Sequence, residues 1–353
     1  MSQHQPQRSS VAIGGLMAAL AAVCGFMSQL LPFFFGFLAP LPLALAAIWL
    51  SRPMALACGV CSALLVGIFM GPLAGVSFFL RSVFLGLVIG SLVKGKRRYG
   101  VLFAAATLAQ ALGTVLYLAL TMLISGTGAT FLQQFAGGLE EEMLSAADEM
   151  DLFNAMATSG LSAAEAEQTF ARVVHFTVQL TPAIYVLMYA ALSAVVLLLL
   201  HALCLRLRTE VQVNPPRWQE ILMPPAVLVP FLVAWILLLV ERHLDNQVLW
   251  IVCANVMVIG AACMAMDGFS YCLAKLKFTE KPFMIQLIYL MLAFLMGWYL
   301  IVVFVVIGVF DSIGSLETGK CADFLVLNKD LKLMATFIDG KLVNGTTDFE
   351  SVK

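Results

Sequence analysis

The stretch GPLAGVSFFLRSVFLGLVIGSLVKGKRR, residues 71–98, reads as a helix that crosses a bilayer and stops in a basic cluster. As a helix, the apolar run 74–93 is about 30 Å long, the thickness of a hydrocarbon core. Gly71-Pro72 breaks the chain ahead of it. Lys94, Lys96, Arg97 and Arg98 follow it, as expected on the side of a membrane where positive charge gathers. One charge, Arg81, interrupts the run.

The whole chain has the same character. Of 353 residues, 61% are hydrophobic and 12% charged, and the mean hydropathy is +0.96. A soluble domain carries about 25% charged residues, so a water-facing globule is excluded and the lipid bilayer is the first partner. The net charge of -1 provides no basic field for nucleic acid. Apolar segments recur at 11–31, 33–50, 54–70, 74–93, 100–124, 173–205, 221–240, 247–273 and 283–309. Arg8, Arg52, the 94–98 cluster, Arg206 with Arg208 and Arg217, and Lys275 with Lys277 and Lys281 fall at alternate connections. Placing these in the cytoplasm obeys the positive-inside rule throughout. The expected fold is an all-α polytopic bundle of eight or nine spans in a bacterial cell membrane, with a cytoplasmic N-terminus. The first run reads as a retained span, not a cleaved signal.

Segment 33–50 is the ambiguous one, because Pro40 and Pro42 interrupt a stretch barely ~27 Å long as a helix. It is either a proline-kinked span or a re-entrant segment lining a site. The long connection 125–172 is acidic, with Glu140, Glu141, Glu142, Asp148, Glu149, Asp151, Glu165 and Glu167 against Arg172, and is expected outside. Phe131, Leu132, Phe135, Leu139 and Met143 recur at helical spacing, which predicts an amphipathic helix on the membrane or over the bundle. Ser162 with Glu165 forms a capping box that predicts a helix starting there and running into the sixth span.

No HExxH, GxSxG, GxxxxGK[ST] or calcium-loop pattern occurs, so no catalytic residue and no cofactor is expected. His4, His175, His201 and His243 are too scattered for a metal centre, and Cys58-x-x-Cys61 lies inside an apolar run without a second pair. The informative residues are polar groups inside spans, each ionised one costing about 2.5–3.5 kcal/mol at mid-helix. These are Arg81 and Asp267, with Gln110 and Asn255 as neutral companions. Either Arg81 and Asp267 form an ion pair that fixes packing, or Arg81 offers positive charge to a small anionic ligand. Gly14, Ala18 and Ala22 recur at spacing four, with Gly15 and Ala19 beside them, and such a face lets another helix approach closely.

Residues 11–311 resemble the YybS-like family of bacterial membrane proteins, through LAPLPLALAAIWLSRPMALACG at 38–59, the 71–98 stretch, MDGFSYCLAKLK at 266–277 and GVFDS at 308–312. The first spans of that family are similar in pattern to the S components of energy-coupling factor transporters. That resemblance implies ligand capture, with Gly14, Ala18 and Ala22 docking a coupling subunit and an ATPase subunit supplying energy. Residues 313–344, IGSLETGKCADFLVLNKDLKLMATFIDGKLVN, resemble the C-terminal end of the amidohydrolase N-acetylglucosamine-6-phosphate deacetylase. FLVLN and LMATFI read as strands, and Asp339-Gly340 as a hairpin turn into a third. The catalytic barrel and its metal ligands are missing, so a deacetylase function drawn from this tail alone would lack its chemistry. The expected organisation is a tail at 1–10, a five-span S-component-like bundle at 11–124, the acidic loop at 125–172, a four-span bundle at 173–312 and the amidohydrolase-like tail at 313–353. A small-molecule binding or translocation subunit is the leading expectation, and a partner-recruiting membrane scaffold the alternative.

Overall fold

The computed structural model describes residues 6–31, 35–126, 130–149, 163–209, 211, 213–217, 225–244, 246–277, 281–313, 324–327, 333–338 and 341–345. The chain is an all-α multi-pass membrane bundle with a small sheet near its C-terminus, and it divides into two compact units, Met1–Pro216 and Arg217–Lys353. Among the described residues, six helices are long and apolar enough to cross a membrane. Shorter apolar helices lie in the remaining three apolar segments, at Pro40–Trp49, Leu228–Glu241 and Tyr299–Ser312.

In the first unit, α1 is Pro6–Leu30, α2 Pro40–Trp49, α3 Arg52–Met70, α4 Pro72–Lys94, α5 Tyr99–Ser125, α6 Thr130–Glu149, α7 Ala163–Gln179 and α8 Thr181–Arg206. The short α2 is the core. Leu43, Ala44 and Ala46 are fully buried, and the helix is apolar on every face because helices surround it. It lies parallel to α4 across two glycines four residues apart. A Cβ on Gly86 would come within 2.6 Å of the Pro40 carbonyl oxygen, and one on Gly90 would strike that of Ala44. Lipid is as apolar as leucine, so such close backbone approach, not hydrophobicity, holds the pair together. At the end of both helices Lys94 Nζ donates to the Leu50 carbonyl at 2.7 Å, neutralising an open helix terminus with charge of the favourable sign.

That contact fixes which ends coincide. Gly14 of α1 lies against Leu50, Met54 and Cys58, whose thiol donates to the Gly14 carbonyl. Gln110 of α5 meets Ser193 of α8 and Thr114 meets Tyr189, so these two helices are antiparallel and Arg206 shares an end with Tyr99. Arg52, the 94–98 cluster and Arg206 therefore gather at one end of this unit. Helices α6 and α7 join it at the other end, where Glu140 Oε2 and His175 Nδ1 lie 3.9 Å apart.

Several boundaries differ from the sequence reading. The sixth span falls with the first five in the unit Met1–Pro216. The physical reason is the polar bonding between α5 and α8. That span is also two helices, α7 and α8, separated at Leu180 just ahead of Pro182. Within segment 33–50, residues 36–39 are in turns and the helix α2 begins at Pro40. Leu139 and Met143 of the amphipathic α6 are half-buried, while the side chains of Phe131, Leu132 and Phe135 lie outside the described residues, as does Ser162.

The second unit contains α9 Leu228–Leu244, α10 Gln247–Lys275, α11 Phe283–Met296 and α12 Trp298–Ile313. Asn246 caps α10, its side chain accepting from the Val248 and Leu249 amides. The apolar run 283–309 is not one helix, because Gly297 adopts φ +52 and ends α11. The expected strands are present as β1 Phe324–Leu327, β2 Leu333–Ile338 and β3 Lys341–Gly345 in one antiparallel sheet of order β1-β2-β3. Residues 314–323, which carry most of the amidohydrolase-like signature, lie outside the described residues.

Candidate functional site

Midway along α4 the α-helical ladder slips. Residues Phe79–Val83 form a π turn, in which the Phe84 amide reaches back to the Phe79 carbonyl. Such single-turn bulges are frequent at functional positions, because they cost regular hydrogen bonding and re-aim side chains. The re-aimed residue here is Arg81. It is exposed, and no hydrogen bond or ion pair engages it among the described residues. It stands ~20 Å from Lys94 along the helix.

The π turn is braced by α5. Gly113 is buried with the Leu80 carbonyl directly over its Cα, and a Cβ there would also come within 3.5 Å of Arg81 Cα. One turn before Gly113 stands Gln110, 5% exposed, and one residue after it stands Thr114. The Gln110 amide donates from Nε2 to Ser193 Oγ at 2.7 Å and to the Tyr189 carbonyl at 3.4 Å. Tyr189 closes the cluster by donating its hydroxyl to Thr114 Oγ1 at 2.7 Å. Four polar side chains thus bridge α5 and α8 at the depth of the π turn. On its other flank the turn touches α2 and α3. Pro40, where α2 begins, packs on Gly86, five residues beyond Arg81. Counted from the basic end, Pro40 lies at ~15 Å, Gln110 at ~18 Å and Ser193 and Arg81 at ~20 Å, all near the middle of a ~30 Å core.

Asp267 and Asn255 both lie on α10 in the second unit, where they form no common site. Twelve residues separate them, ~18 Å along the helix. Asn255 is buried and its Nδ2 donates to the Ile251 carbonyl one turn back. Asp267, 3% exposed, accepts from Ser312 Oγ at 3.2 Å. Its neighbour Gly268 meets Gly308 of α12 so closely that their backbones touch, a Cβ on Gly268 coming within 2.9 Å of the Gly308 amide nitrogen. The MDGFSYCLAKLK and GVFDS stretches therefore converge on one helix crossing.

The face formed by Gly14, Ala18 and Ala22 is buried, with Gly14 against α3 of the same chain; Gly15 and Ala19 beside it are exposed. Sequence reasoning singled out Gln110 but missed Thr114, Tyr189 and Ser193. The legible signal was a polar pair at spacing four on each helix, 110 with 114 and 189 with 193, which places both members on one face.

No curated protein and no solved structure matches the chain. A family model described as a predicted membrane protein, DUF2232, matches residues 15–312, a range that takes in both units and closes on Ser312, the residue bonded to Asp267. With most of its length matched, the chain belongs to the DUF2232 family of membrane proteins.

Proposed function

We propose that this protein is the ligand-binding or translocating subunit of a bacterial membrane transport system, similar in role to an S component, with its site in the mid-depth layer of the first unit. The observation that supports this reading is the coincidence of broken backbone and buried polar groups at one level. Irregular backbone at membrane depth persists only where protein covers it or where it lines a wet cavity, and transporters place their sites at such discontinuities. The π turn around Arg81 and the turns ahead of α2 both fall there, beside Gln110, Thr114, Tyr189 and Ser193. An exposed guanidinium at that depth suits a small anionic ligand. The basic end of the unit faces the cytoplasm in this reading, and α6 and α7 cover the outer mouth.

The chain has no ATP-binding motif, so ATP-driven transport requires coupling and ATPase subunits. Since Gly14, Ala18 and Ala22 are taken up within the chain, a coupling subunit on α1 would meet the open Gly15–Ala19 edge. Affinity purification of the full chain from its own host is expected to bring down an ATPase pair with a membrane coupling protein. Recovery of other proteins without these, and without ligand, would favour a scaffold and contradict the proposal.

The C-terminal sheet has no part in this function. The family match ends at 312, and a lone three-stranded sheet needs a covered hydrophobic face to be stable. Truncation after Ser312 is expected to leave expression level and melting temperature unchanged in detergent. Truncation after Ile307, which also removes Gly308 and Ser312, is expected to lose both.

A further inference from the structure

Gln110 uses only one end of its amide. Both of its hydrogen bonds leave through Nε2, and its Oε1 accepts from no described residue although the side chain is 95% buried. Exchanging the two ends of the amide does not repair this. With the oxygen turned toward Ser193, the amide nitrogen occupies the open position and has no acceptor. Buried polar atoms without a protein partner are normally met by water or by ligand.

The neighbouring groups narrow the chemistry. Ser193 and Thr114 each accept a hydrogen bond, from Gln110 and from Tyr189, and neither hydroxyl proton has a described acceptor. No carboxylate belongs to the cluster, so an ammonium group placed there would be a buried charge without compensation. A second anionic group would be worse placed beside the open Oε1. A hydroxyl fits, because it donates to Oε1 in one amide orientation, accepts from the amide nitrogen in the other, and is neutral. The Arg81 backbone stands across the Gly113 contact, and Gln110 lies one turn from Gly113 on α5, so the two residues are neighbours at one depth.

We propose that the mid-depth site takes a small hydroxy-carboxylate, with Arg81 holding the carboxylate and the open amide end of Gln110 reading the hydroxyl. This rests on the binding-subunit reading above and adds the ligand's chemical class. Gln110 is then the specificity-determining residue, and Ser193 a positioning residue that holds the amide.

The test is calorimetric titration of the full chain in nanodiscs with two matched pairs of acids, L-lactate against propionate and L-malate against succinate. In each pair the hydroxy acid is expected to bind roughly tenfold more tightly, the size of effect that follows from leaving one buried polar group unmatched. Gln110→Leu is expected to abolish that preference while carboxylate binding persists, and Arg81→Gln to abolish binding of all four. Should Gln110→Leu fail to fold, Ser193→Ala, which frees the amide to turn, is expected to reduce the preference severalfold. Equal affinity within both pairs, with binding still lost in Arg81→Gln, overturns the hydroxyl assignment and leaves the anion-binding reading intact. A preference that survives in Gln110→Leu means that the open amide end holds only a structural water, and also overturns it. Failure of all four acids to bind overturns the assigned ligand class.

Discussion

Gly308→Leu is expected to abolish stable expression of the full chain, although the substitution adds only apolar atoms to an apolar helix. A Cβ at this position would fall inside the Met264 carbonyl oxygen, with the Gly268 amide nitrogen 3.0 Å away. Both obstacles are backbone, so no rotamer change makes room. The helices must separate, and separation costs twice in a bilayer. Van der Waals contact at the crossing is lost where no hydrophobic gain exists to replace it. Asp267 also loses its hydrogen bond from Ser312 Oγ, a polar contact of a buried carboxyl. Overpacking alone typically costs about 1–3 kcal/mol, and the added loss of the polar contact takes the total to roughly 4 kcal/mol, a large share of any fold's margin. Gly268→Leu is expected to behave alike, its Cβ striking the Phe304 carbonyl. Gly15→Leu is the control. Nothing lies within 4 Å of its Cβ position, so a change within about 0.5 kcal/mol is expected. Expression yields of the three variants, with size-exclusion profiles and melting curves of whatever protein is recovered in one detergent, check the order.

The readability of these features in the sequence follows from what each rests on. Spans were legible because a bilayer demands ~20 apolar residues whatever the fold, and the tail strands because Asp339-Gly340 punctuates alternating β-formers. The break at Gly297 was hidden inside a continuous apolar run, where glycine is common and harmless unless its φ turns positive. The π turn at Phe79–Val83 has no periodic signature at all: one slipped hydrogen bond leaves the hydropathy pattern unchanged. Gly86 with Gly90, and Gly113, were overlooked because spans rich in glycine and alanine produce such spacings by chance, and only the partner backbone gives them meaning. The grouping of α8 with the first five spans was hidden for a different reason. It depends on Gln110 finding Ser193 across 83 residues of chain, while the long acidic connection between them invites a domain boundary.

Arg81→Leu is expected to leave the protein folded and at least as well inserted as the wild type. The guanidinium has no described partner to lose, and a charged residue at mid-helix costs about 2.5–3.5 kcal/mol on insertion scales, a cost the leucine removes. Ligand binding should move the other way. A charge-assisted hydrogen bond to a carboxylate is worth about 1.5–3 kcal/mol, so affinity for an anionic ligand should fall by roughly 10–100-fold, which takes a weakly bound small acid below detection. A structural arginine would show the opposite pattern, with stability lost and binding lost only as a consequence. Melting temperature and affinity therefore separate the two roles when measured on the same samples.

Native mass spectrometry of the full chain, purified in mild detergent from cells grown in rich medium, reads occupancy of the mid-depth site. Wild-type protein is expected to carry a small acid at one-to-one stoichiometry, and Arg81→Leu, eluting and melting like the wild type, to carry none. Wild-type protein that is free of any small molecule, or a ligand retained undiminished by a folded Arg81→Leu, would contradict the binding-subunit reading.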